Sequence, residues 1–124
     1  IAVCCFSINF SKKEFKIVGA GINQFMFQKQ GKKAEKKLAE GPFLGMFSDS
    51  EFSEKKIQIQ SGDRLFLFSD GLDFIFDEDE IIKRYMEKVT LNDFKKYIDE
   101  YLEDTILDEG KLKDDSTMIG IEIK

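Results

Sequence analysis

Near its start the chain places apolar side chains at every second position: Ala2, Cys4, Phe6, Ile8 and Phe10, then Phe15, Ile17 and Gly19 after the polar break Ser11-Lys12-Lys13. Successive strand side chains point to opposite faces, so this pattern predicts a β-hairpin. Gln24 to Gln28 alternates again as far as Gly31 and predicts a third strand, with a fourth following. The stretch Gly41-Pro42-Phe43-Leu44-Gly45 breaks pairing, because Pro42 has no N–H to donate and its glycine neighbours accept unusual dihedrals; it reads as a structured loop. Ile57 and Ile59 alternate with Gln58 and Gln60, and Ser61-Gly62-Asp63 forms a turn. Leu65-Phe66-Leu67-Phe68 is apolar on both faces, as a central strand covered on both sides should be.

The period then lengthens. Asp77 followed by Glu80 predicts a helix start, and Ile81, Ile82, Tyr85, Met86 and Val89 share one helical face. Thr90 is placed to cap a second helix with Leu91, Phe94, Ile98, Tyr101 and Leu102 turned inward. Helices are expected over residues 77–88 and 91–107. Met118, Ile119, Ile121 and Ile123 return to strand alternation. Antiparallel strands, two consecutive helices and a returning strand predict an α+β layered domain rather than a βαβ wound sheet. Its expected core holds Phe6, Ile8, Ile17, Leu65, Leu67, Phe94, Ile98, Ile119 and Ile121.

Composition narrows the chemistry. A length of 124 residues suits one domain, and thirteen phenylalanines predict an aromatic-rich core. A formal charge of −5 argues against a dedicated nucleic-acid binder, which needs a basic face for the phosphate backbone. No apolar run approaches the roughly 20 residues of a membrane span, so no direct membrane insertion is expected and the chain reads as cytoplasmic. Ile1-Ala2-Val3 enters a strand at once, which predicts that further sequence precedes it in the natural protein. Adjacent Cys4 and Cys5 are expected as buried thiols on opposite faces, not bonded to each other. With no histidine and no CxxC pair, a structural zinc site, a Cys–His nucleophile and a Ser–His–Asp triad are excluded within this chain. Catalysis here falls to carboxylates, lysines or a hard metal ion.

Two acidic turns are the candidates: Ser69-Asp70-Gly71 after the central strand and Asp114-Asp115-Ser116-Thr117 before the last one. If those two strands are antiparallel neighbours, Asp70 and Asp114 meet at one sheet edge. Carboxylates brought together repel unless they share a proton or a cation, and oxygen ligands without His or Cys suit Mg²⁺ or Mn²⁺. Gly71, lacking a Cβ, lets backbone come close to such a site. Either turn alone reads as an ordinary structural turn; the pairing makes them specific. Asp73, Asp77, Glu78 and Asp79 suit a helix N-terminus and receive no catalytic role. The run Lys29, Lys32, Lys33, Lys36, Lys37 reads either as a landing patch for an acidic or phosphorylated protein or, the favoured reading, as a solvated hairpin with Glu35 and Glu40 interspersed.

Gly62-Asp63-Arg64-Leu65-Phe66-Leu67-Phe68-Ser69-Asp70-Gly71-Leu72 resembles the "GD, apolar strand, TDG" block of the stage II sporulation protein E branch of metal-dependent serine/threonine phosphatases. Gly41-Pro42-Phe43-Leu44-Gly45 resembles that branch's "GxPLG" loop, Gly19-Ala20-Gly21 its "AGH" strand end, and Asp114-Asp115-Ser116-Thr117 its "DDxT". Each block is weak alone; four in order are specific. The resemblance implies an antiparallel β-sandwich flanked by helices. It implies Asp70 and Asp114 as metal ligands with Gly71 and Asp115 beside them, and a binuclear Mn²⁺ or Mg²⁺ centre that hydrolyses phosphoserine or phosphothreonine. Implied partners are a phosphorylated regulatory protein of the anti-sigma-factor-antagonist type and an upstream sensor or receiver domain. Two departures stand out. The branch's "DxxGHG" block has no counterpart, and Ile22-Asn23 replaces its usual His and Pro-containing stretch. The chain is therefore expected to be the C-terminal portion of such a domain, with an incomplete centre and little activity alone. A non-catalytic signalling or binding module of the same fold is one alternative. An unrelated α+β interaction domain, with Asp70 and Asp114 at opposite ends of the sheet, is another.

Overall fold

The computed structural model describes residues 1–78, 86–111 and 114–124. Strands β1 (Val3–Asn9), β2 (Glu14–Ala20), β3 (Gln24–Gln28), β4 (Glu35–Leu38), β5 (Lys55–Gln58) and β6 (Arg64–Phe68) come first. A 3₁₀ turn (Asp70–Leu72), helices α1 (Asp73–Glu78) and α2 (Leu91–Glu109), and strand β7 (Met118–Glu122) follow. The strands form two antiparallel sheets, ordered β1-β2-β5 and β4-β3-β6-β7.

Alternation explains the layering. One face of β2, β3 and β6 contributes Phe15, Ile17, Phe25, Phe27, Leu65 and Leu67 to a core between the sheets. The opposite face of the four-stranded sheet carries Met26, Phe66 and Phe68, which pack under Leu72, Ile75 and Phe76 and under Phe94 and Ile98 of α2. Strand β6 is thus covered on both sides, as its unbroken apolar run predicts. Aromatic geometry ties the helices down: Phe66 meets Phe94 edge to face at 5.3 Å, and Phe68 stacks on Phe76 at 4.4 Å. The result is the expected α+β sandwich flanked by helices.

Two expected core residues are exposed. Phe6 is 40% and Ile119 49% exposed, although both sit on inward-facing positions. The cause is their place at sheet edges. Lys55 Nζ donates to the Leu38 carbonyl at 2.9 Å, which brings β5 beside β4, and β1 and β7 are the outer strands at the other ends of their sheets. Inward side chains there have sheet on one side only; Ile8 and Ile121 are half-buried for the same reason. Cys4 is half-buried and Cys5 exposed, which corrects the expectation of two buried thiols, and both are free. Burial, then the neighbouring Cys5, pushes the Cys4 thiol up.

The first helix also starts earlier than expected. Asp70, Gly71 and Leu72 wind directly off β6, and α1 begins at Asp73 because Leu72, Ile75 and Phe76 bury one helical face. Asp77 lies inside α1 rather than capping it. Glu80, Ile81, Ile82 and Tyr85 fall outside the described residues; Met86 is buried. Arg64 of β6 donates to the carbonyls of Met86 (3.1 Å) and Val89 (2.7 Å) and pairs with Glu122 of β7 (2.7 Å), fixing the approach to α2. Bonds from Lys124 and Arg64 hold the Glu122 carboxyl below its usual range.

Helix α2 begins as expected. Thr90 Oγ1 accepts the Asp93 N–H at 3.1 Å and donates to the Asp93 carboxylate at 2.7 Å. At the other end Gly110 adopts φ 81° and donates its N–H to Ile106 O at 2.8 Å, the left-handed stop that carries the helix on to Glu109. Thr90→Ala should cost about 1 kcal/mol. Urea denaturation checks this, and an unchanged midpoint would contradict the capping role.

Candidate metal centre

Because β6 and β7 are antiparallel, with Phe68 opposite Met118, the end of one strand lies beside the start of the other. Hydrogen bonds extend this pairing past both strands. Ser69 N–H donates to Thr117 O at 3.0 Å, and Thr117 N–H donates to Ser69 Oγ at 3.0 Å. The Ser69 hydroxyl donates in turn to Asp115 O at 3.2 Å. Ser116 Oγ lies 3.3 Å from both Gly71 O and Asp114 O, and Asp114 Oδ1 accepts the Asp115 N–H at 2.7 Å. The two acidic turns are therefore stitched together at one sheet edge. Asp70, Asp114 and Asp115 all remain exposed.

Gly71 makes this approach close. A Cβ there would sit 2.3 Å from Asp115 O and 2.9 Å from Ser116 Oγ, so any side chain must push the turns apart. Gly71→Ala should destabilise the fold by about 1–3 kcal/mol, the usual cost of forcing atoms into a packed contact. An unaltered thermal midpoint would show that the two turns are not held in contact.

All four residues singled out from the sequence, Asp70, Gly71, Asp114 and Asp115, lie at this edge. Their donors are oxygens, and the carboxylates are exposed, which suits a hydrated Mg²⁺ or Mn²⁺ in kind. In number they fall short: among the described residues no group of three or more His, Cys, Asp or Glu side chains is placed to hold a metal ion.

Next to Asp70 runs a groove of about 650 Å³, lined among others by Asn23, Gln24, Pro42 and Asp73. Its walls are set by glycine. A Cβ on Gly19 would lie 1.9 Å from Ala39 O, and one on Gly41 would lie 1.9 Å from Gly19 O. Gly21 N–H donates to Gly41 O at 3.2 Å, and Asn23 Oδ1 accepts the Gly41 N–H at 3.2 Å. The glycine-rich strand end and the Gly-Pro loop are thus packing partners, with Asn23 as their link. Gln24 Nε2 donates to Asp73 Oδ1, joining β3 to the first turn of α1. Neither Asn23 nor Gln24 was predicted at the site: periodicity marks Gln24 only as a strand start, and Asn23 stood out only beside the glycines, as a departure from the pattern the segment resembles. Asp63, by contrast, is structural. It is buried and its carboxylate accepts the N–H groups of Gln30 (3.0 Å) and Gln60 (2.9 Å).

The family model for stage II sporulation protein E matches residues 1–124. No curated protein sequence matches. Among solved structures, the manganese-presoaked phosphatase domain of the cell fate determinant SpoIIE from Bacillus subtilis matches with a TM-score of 0.68 at 20% identity, over 99% of this chain and 56% of that one. The Bacillus subtilis SpoIIE PP2C phosphatase domain with a fragment of its regulatory domain matches with a TM-score of 0.74 at 21% identity, over 98% and 37%. RsbX in complex with magnesium matches with a TM-score of 0.70 at 17% identity, over 99% and 56%. The chain spans little more than half, or less, of the length of these structures.

Proposed function

The chain belongs to the stage II sporulation protein E family, and from that premise we propose that it forms the C-terminal part of a PP2C-type phosphatase domain and takes part in metal-dependent removal of phosphate from phosphoserine or phosphothreonine in a regulatory protein. One observation supports this most: the stitching of Ser69–Gly71 to Asp114–Thr117, which brings two exposed aspartates to a single sheet edge in a chain of this family. Asp70 and Asp114 are the residues that would hold Mn²⁺ or Mg²⁺. A bound divalent cation supplies charge neutralisation for a phosphoryl group and activation of a water. The Ser69 and Ser116 hydroxyls fix the relative position of the two turns, and Asp115 and Gly71 shape the backbone around them. The groove along Asn23, Gln24 and Pro42 gives the phosphorylated segment a bed beside Asp70.

Two acidic turns are too few oxygen donors for tight Mg²⁺ or Mn²⁺ binding. The 124-residue chain should release little phosphate from a phosphoserine peptide with Mn²⁺, whereas a polypeptide extended upstream of Ile1 by its native sequence should do so readily. Robust turnover by the 124 residues alone would show that its ligand set is complete. No turnover by the extended form would favour a non-catalytic module of the same fold. A phosphorylated substrate of the anti-sigma-factor-antagonist type and an upstream sensor or receiver domain remain part of this reading, drawn from the family.

A further inference from the structure

On the flank away from β1 and β7, a groove of about 720 Å³ opens between the edge strands β4 and β5. It is lined by Lys29, Lys32, Lys33, Lys37, Lys55 and Lys56, and among the described residues lining it Glu35 is the one acid. That gives the groove a formal +5 in a chain whose total is −5. The folded chain alters the solvated-hairpin reading in two ways. Glu40 lines the groove beside Asp70 instead, and Lys55 and Lys56 arrive from the opposite sheet. Phe27 and Ile57 add apolar surface. Lys37 is held against Glu35 at 2.8 Å and Lys55 against Leu38 O at 2.9 Å, while the side chains of Lys29, Lys32 and Lys56 stand exposed.

We propose that this groove binds an extended acidic segment of a protein partner. Charge sets the sign of the ligand. Shape sets its class: among the described residues β4 and β5 are both edge strands, each with one side free of strand pairing, so an extended polypeptide can add main-chain hydrogen bonds while its carboxylates meet the lysines. A nucleic acid strand is a poorer match, because a long polyanion would run off the groove onto an otherwise acidic surface. Lysines on edge strands also deter strand pairing between molecules, a role that needs no ligand.

The test is fluorescence anisotropy of a short labelled peptide of alternating aspartate and valine, titrated with the 124-residue chain at low ionic strength. Saturable binding is expected, weakened by salt. Reversing charge in the Lys29→Glu/Lys32→Glu/Lys56→Glu variant should weaken it at least about tenfold, while Lys95→Glu/Lys96→Glu on α2 should leave it unchanged. Should the triple reversal not fold by circular dichroism, Lys29→Gln/Lys32→Gln/Lys56→Gln is expected to bind several-fold more weakly. The proposal is overturned by absent or non-saturable binding or by equal losses in both lysine sets. Tighter binding of an oligothymidylate or of phosphatidylserine vesicles overturns it too, as does self-association of the chain that the groove variant abolishes. It concerns binding at the β4–β5 flank and stands whether or not the Asp70 edge is catalytic.

Discussion

Phe66→Ala is expected to lower the stability of the fold by about 3–5 kcal/mol, a large share of what a small domain possesses. Phe66 is fully buried at the centre of β6, where it faces Phe94 edge to face and carries the contact between the four-stranded sheet and α2. Its cross-strand neighbours are Met26 on β3 and Gly120 on β7, and of these only Met26 has a side chain that can shift toward the space left behind. The cavity is therefore filled at most in part, and α2 loses its main aromatic anchor. Ile119→Ala, one residue away on β7 but half-exposed at an edge, should cost less than about 1 kcal/mol. Urea denaturation of the two variants measures the contrast; equal losses would contradict the assignment of faces and edges.

Asp70→Asn and Asp114→Asn, each in the upstream-extended polypeptide, should lower Mn²⁺-dependent phosphate release by at least about a hundredfold. Even groups one shell out from a metal cost ten- to a hundredfold when removed, and a direct ligand should cost no less. Folding should survive, because both side chains are exposed and, among the described residues, make no long-range hydrogen bond that the fold relies on; the turns are held by Ser69, Ser116 and Thr117 instead. Removing a negative charge from a pair of facing turns relieves repulsion, so melting temperature should hold or rise. A variant with full turnover would take that aspartate out of the mechanism.

Strand positions, the antiparallel pairing of β6 with β7 and the Thr90 cap were all legible in the sequence, because each rests on a local signal: a two-residue period, an apolar run bounded by turns, a hydroxyl before a helical face. The meeting of Asp70 and Asp114 segments followed from that pairing. Edges were not legible. Phe6 and Ile119 have the same period as Leu65 and Leu67, and only sheet order tells that they lack neighbours on one side. The early start of α1 was hidden because Asp70-Gly71-Leu72 looks like a turn, and the winding depends on burying Leu72, Ile75 and Phe76 against the sheet. The Asn23 and Gln24 contacts and the arrival of Lys55 and Lys56 beside the hairpin lysines are long-range, so no window of sequence contains them.

The most direct test of the central claim is Mn²⁺-induced broadening of backbone amide signals in the nuclear magnetic resonance spectrum of the 124-residue chain, which maps even a weak site. If Asp70 and Asp114 attract one cation, the amides of Asp70, Gly71, Asp115 and Ser116 should broaden together at the lowest Mn²⁺ concentrations. Both Asp70→Asn and Asp114→Asn should then remove the effect from both turns at once. Broadening that starts on the acidic stretch of α2 around Glu100, Glu103 and Asp104, or that reaches one turn without the other, would contradict a shared metal site.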